Sequence, residues 1–151
     1  MNLTPHLLES ALLEVIDTKK ATGQRFIEYA SKYNGPLTLV FSEDLEVLPD
    51  DDKQAMLFVV DVLLTANEKT PDAKGFEDAG EMEDILEEVI EKWEMLEGTF
   101  EEKMELFYDA SEEQEAIAFV EEVLEEGDIS KEGKETIYLT GYAIIEALSR
   151  A

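Results

Sequence analysis

Apolar side chains recur along most of this chain at spacings of three and four, the period of an amphipathic helix. The pattern begins at once. Thr4 followed by Pro5 reads as a helix start: a hydroxyl cap, then a residue whose missing N–H costs nothing in the first turn. Leu7, Leu8, Ala11, Leu12, Val15 and Ile16 then share one face. The pattern loosens from Asp17 to Gln24 and resumes with Phe26, Ile27, Ala30 and Tyr33, which predicts one kinked helix or two short ones. Asn34, Gly35 and Pro36 are expected to end it, through a left-handed cap and a ring that cannot continue the helix. Residues 37–41 (Leu-Thr-Leu-Val-Phe) have strand composition but no partner strand, so an extended linker or a short buried helix is expected. Ser42 is placed to cap one turn running through Leu48.

The next helix is predicted from about Asp51 to about Asn67, with Gln54 as the second half of a loose capping box. A polar connection follows, from Glu68 to Gly80. Residues 81–97 form the clearest segment: Met82, Ile85, Leu86, Val89, Ile90, Trp93 and Leu96 make one stripe, nearly everything else is acidic, and Gly98 stops it. Thr99 with Glu102, and Ser111 with Gln114, read as capping boxes opening helices at about 100–109 and 112–126. Gly127 ends the second, and Ser130 caps a last helix reaching about Ser149. Apolar residues of this last helix (Ile137, Tyr138, Leu139, Tyr142, Ile144, Ile145, Leu148) wrap most of its circumference. Such a helix is central in a bundle or offers an apolar face to a second copy in a homodimer. About six helices with short connections predict an all-α fold, a single-domain bundle over 1–151 with mostly antiparallel neighbours. The echo between Glu87–Glu91 and Glu121–Glu125, 34 residues apart, has the period of a tetratricopeptide repeat. Neither copy has the Trp, Leu-Gly and Tyr positions of that repeat, and there is no third copy.

Charge changes this picture because of where it sits. The formal net charge is −26. Residues 81–128 hold 20 acids against two bases, Lys92 and Lys103, whereas the first 34 residues and the last 23 are each balanced. A neutral front, a neutral tail and an anionic middle disfavour direct contact with nucleic acid or an anionic membrane and favour cationic partners. The 44% hydrophobic content is that of a folded globular chain. The absence of cysteine removes disulfides, thiolate nucleophiles and Cys-bearing zinc sites. The N-terminus lacks the basic and apolar regions of a secretory signal. The longest apolar run, Ala55 to Val60, falls far short of the roughly 18–20 residues that span a bilayer. A soluble, cytoplasmic protein is the expectation.

Candidate chemistry is sparse. Asp61 interrupts the most apolar helix and would be a site candidate if buried. Gln54, Asp61, Thr65 and Glu68, however, fall on one narrow polar stripe, which places Asp61 at a solvent edge. Asp128 to Gly133 imitates the first half of a calcium-binding EF-hand loop, but Leu139 stands where the bidentate Glu is required. Pairs such as Glu88 with Glu91, and Glu125 with Asp128, have the i, i+3 spacing with which all-α nucleotide pyrophosphatases hold Mg²⁺. With 38 acids in the chain, such pairs arise by chance. His6 is the only histidine, and it sits in a first helical turn where an imidazolium is disfavoured. No Glu-x-x-His pair exists for a di-iron site. The aromatic residues from Trp93 to Tyr142 lie at helical spacing with aliphatic neighbours and are expected in the core.

The reading is therefore a small acidic helical binding protein with no catalytic or metal-ligating residues and no cofactor. Glu87, Glu91, Glu121 and Glu125 are its candidate contacts to a basic protein surface, one for which it would compete with nucleic acid. A Mg²⁺-dependent nucleotide hydrolase, and a protein whose charge serves only solubility, are the alternatives.

Overall fold

The computed structural model describes Met1 and residues 3–150. Those residues form eight helices of seven residues or more and one four-residue turn, without a strand. The first pattern resolves into two helices, α1 (Pro5–Asp17) and α2 (Thr22–Tyr29). Thr4 Oγ1 caps α1 by accepting from the Leu7 N–H at 3.2 Å.

The expected stop at Asn34-Gly35-Pro36 is instead a start. These residues open α3 (Asn34–Val40), and Gly35 has no positive φ. Pro36 sits in the first turn, where a helix N–H has no intrahelical partner to lose. The Gly35 N–H donates to the Phe76 carbonyl at 2.9 Å, while the Phe76 N–H donates to the Lys32 carbonyl at 2.9 Å. The segment with strand composition is thus a short buried helix, with Leu37, Leu39 and Val40 in the core. A single turn, α4 (Glu43–Glu46), follows Ser42 without a side-chain cap.

α5 (Asp50–Glu68) starts without the capping box expected from Gln54. Asp50, Asp51 and Asp52 in its first turn complement the helix dipole instead. α6 (Ala79–Met95) is capped by Asp78, whose Oδ1 accepts from the Glu81 N–H at 3.0 Å. Gly98, at φ +124°, turns the chain into α7 (Phe100–Ala110), which opens on the expected reciprocal box of Thr99 and Glu102. The box expected from Ser111 and Gln114 is absent. Ser111 Oγ accepts from the Glu113 N–H, and α8 (Gln114–Glu126) begins two residues later than predicted. Glu113 is drawn inward, its Oε2 accepting from the Leu3 N–H at 3.4 Å. α9 (Lys131–Arg150) completes the chain.

α5 and α9 pack on each other as the centre of the molecule. α1, α2 and α3 cover α5, while α6 and α8 flank α9. The wide apolar girth of α9 is thereby covered from within the chain, with Ile145 1% exposed and Tyr142 8%. One continuous hydrophobic core results. Its aromatic end joins α6, α7 and α9: the rings of Trp93 and Phe107 meet edge-on at 5.2 Å, and those of Phe107 and Tyr142 lie 4.8 Å apart. The Tyr142 hydroxyl donates to the Phe107 carbonyl at 3.2 Å, so this aromatic core leaves that polar group satisfied.

Candidate partner-binding surface

Part of the opposite charge outside 81–128 is paired internally. Lys20 pairs with Glu28, Lys32 with Glu68, and Lys69 with Glu14. Arg25 reaches both Glu14 and Asp61. The acidic middle has no such partners. Of the 20 acids in 81–128, only Glu88 (with Arg150) and Glu113 (with the N-terminal amine) lie at ion-pair distance from a base among the described residues. All of them are exposed except Glu113, which is buried, and Glu121, which is half-buried. The apolar stripes of α6, α7 and α8 face the core, so helical periodicity itself sends their carboxylates outward.

The four predicted contact residues fall in two pairs. Glu87 and Glu91 lie exposed on α6, and Glu121 and Glu125 lie on α8, helices whose shared neighbour is α9. Burial, followed by the charge of Glu125, raises the pKa of Glu121 above the ordinary carboxylate range. The four do not converge on a point, and among the described residues no group of three or more His, Asp or Glu side chains could hold a metal ion. Of the proposed Mg²⁺ pairs, Glu88 contacts Arg150 at 3.3 Å, and Asp128 lies beyond the end of α8. His6 is exposed.

Asp61, expected at a solvent edge, and Asp52, which the sequence did not single out, are both buried. Asp61 is not at a solvent edge; it is 1% exposed. Helix α2 covers the polar stripe and places Arg25 against it, with Nε donating to Asp61 Oδ1 at 2.9 Å and Nη2 donating to Thr65 Oγ1 at 2.6 Å. Burial would lower the Arg25 pKa, but the hydrogen bond and charge of Asp61 outweigh it and hold the guanidinium more firmly protonated. The pair is closed on itself and fastens α2 to α5.

Asp52, also 1% exposed, accepts from the Ser130 N–H at 3.1 Å and from the Ser130 hydroxyl at 2.5 Å. Ser130 Oγ in turn accepts from the Gly133 N–H at 3.0 Å. A Cβ at Gly133 would overlap Asp52 Oδ2. The glycine that imitates a calcium loop is therefore required by the Asp52 carboxylate seated on the start of α9.

Near the other end of α5, Asn67 Nδ2 donates to the Tyr33 hydroxyl at 2.8 Å and to the Lys74 carbonyl at 2.9 Å. Burial alone would raise the pKa of the neighbouring Glu68, but hydrogen bonds from Lys32 and Tyr33 hold it below the usual range. These buried polar groups all serve packing between helices, and none presents a free acid–base pair to a cleft.

Among the described residues no helix is long and apolar enough to cross a membrane. Comparison with protein-family models, with curated proteins and with solved structures finds no match to this chain.

Proposed function

We propose that this protein is a non-catalytic binding protein that engages a cationic protein surface through the exposed acidic faces of α6, α7 and α8. One observation carries the reading: the acids of 81–128 are mostly exposed and almost wholly unpaired among the described residues, while five of the ten bases outside that segment are already held in ion pairs. Charge meant only for solubility has no reason to be concentrated in one segment, since dispersed charge keeps a chain soluble equally well. Helices also hold carboxylates on successive turns at ~5–6 Å, a row that a basic groove can match. Such a partner, if it binds nucleic acid, would have its phosphate site occupied in competition.

The test is capture from an extract of the source cell on immobilised protein, eluted with a salt gradient. A discrete basic protein retained at low salt and released as ionic strength rises is the expected result, because complementary charge governs encounter and part of the affinity. Hydrogen exchange on the reconstituted complex should then show protection on α6–α8. Protection confined to α1 and α2 would overturn the assignment of the surface.

A further inference from the structure

One groove beside α7 and α9 has a chemistry unlike that of its acidic surroundings. It is an open groove of about 770 Å³ lined by the first turns of α7 and α9, with Trp93, Phe100 and Ile129 as its apolar wall. Lys103, Lys131 and Lys134 are among its lining residues. Lysine is scarce here: the chain has 12 Lys and Arg against 38 acids. Yet none of these three lies at ion-pair distance from a carboxylate among the described residues, although Glu101 and Glu135 line the same groove. Lys103 Nζ rests 5.4 Å from the centre of the Trp93 ring instead.

The position of two of these lysines is also unfavourable to the fold. Lys131 and Lys134 occupy the first turn of α9, the positive end of a 20-residue helix dipole, where a cation is disfavoured. Departures from local preference without a structural return concentrate at functional sites. The same helix end that repels the lysines adds to their attraction for an anion. The volume falls within the roughly 300–1,000 Å³ of small-ligand sites.

We infer that this groove binds a small aromatic acid, its anionic head among Lys103, Lys131 and Lys134 and its planar ring against Phe100 and Ile129. Three ammonium groups opposed by two carboxylates leave a local excess of one positive charge, which suits a carboxylate or monophosphate head and disfavours a polyphosphate. Repulsion from acids more than about 8 Å away is screened at physiological ionic strength, so the groups at the groove dominate at contact. The inference is independent of the partner surface on α6–α8.

Trp93 is the only tryptophan of the chain, so its fluorescence reports directly on this groove. The full-length protein is titrated with phenyl phosphate and with benzoate, with pyrophosphate as a ring-free anion and NaCl at matched ionic strength as controls. A saturable change in Trp93 emission with either aromatic anion, weakened at least tenfold in the variant carrying Lys131→Gln and Lys134→Gln, supports the site. Which of the two probes saturates identifies the head group. An equal response to pyrophosphate, a response that persists in the double variant, or no saturable response to either aromatic anion overturns it. The substitutions relieve a clash with the helix dipole, so melting temperature should hold or rise; if the double variant fails to fold, the single variants decide.

Discussion

At the residue scale, the instructive case is Asp61. Its stripe with Gln54, Thr65 and Glu68 was a correct geometric observation, but a polar stripe need not face water when another helix brings a cation to it. Arg25 is 36 positions away, in a segment whose apolar pattern is loose, so no spacing rule joins the two. Breaking a buried pair leaves an uncompensated charge, and Arg25→Ala or Asp61→Ala should each cost about 3–5 kcal/mol in chemical denaturation. The double substitution Arg25→Met with Asp61→Leu should recover most of that loss; a double variant as unstable as the worse single one would contradict the account. Gly133 is a second such case. Alanine is favoured over glycine in a helix by roughly 1 kcal/mol, yet Gly133→Ala should destabilise. Its methyl group displaces Asp52 from Ser130 and costs about 1–3 kcal/mol in lost buried hydrogen bonds. A stabilised Gly133→Ala would show that the Asp52 contact is dispensable.

At the element scale, periodicity was the reliable signal and chain punctuation the less reliable one. α6, α7 and α9 lie within a few residues of their predicted bounds because their stripes are long and their caps local: Asp78, the Thr99–Glu102 box and Ser130. Asn34-Gly35-Pro36 misled because the same three residue types that end helices also suit a first turn, and the deciding contact, with Phe76, is remote in sequence. The burial of α9 was legible as an alternative, and the structure gives its reason in the cover supplied by α5, α6 and α8. Ile145→Lys should therefore leave no folded protein at any concentration in a circular-dichroism melt, whereas a folded monomer would place Ile145 at a subunit contact.

Titration also belongs to this scale. Burial raises the carboxyl groups of Glu113 and Glu121 above their unfolded values. Between those two values the folded state binds more protons, so these groups cost stability as pH rises through that interval and return it as pH falls. Glu68, held low by Lys32 and Tyr33, acts in the opposite sense and loses its contribution at lower pH. Melting temperature should thus be highest in the mildly acidic range, and Glu121→Gln should raise it at neutral pH. A melting temperature that falls steadily from neutral pH downward would contradict this balance.

For the whole molecule, the sequence made the helical class and the location of charge legible, because both are sums over many residues. The central pairing of α5 with α9 and the lysine groove were not legible, since each depends on which helices meet. Lys103 and Lys131 are 28 positions apart and come together only because α7 and α9 share an aromatic core. The charge asymmetry has a consequence for stability. Glu83, Glu87 and Glu91 repeat at i, i+4 along α6, and moderate NaCl should raise the melting temperature by screening such repulsion. A curve that is flat or falling with salt would show that the middle segment does not repel itself.

Recognition of a cationic partner by the acidic faces is read from the salt dependence of affinity for the captured partner. It should be compared between the natural chain and a variant carrying Glu87→Gln, Glu91→Gln, Glu121→Gln and Glu125→Gln. Affinity in the natural chain should fall steeply with salt. The variant should bind more weakly and with a shallower slope, with its fold kept or made more stable. Equal affinity and equal slope in the two proteins would contradict recognition by the acidic faces and assign the charge to solubility.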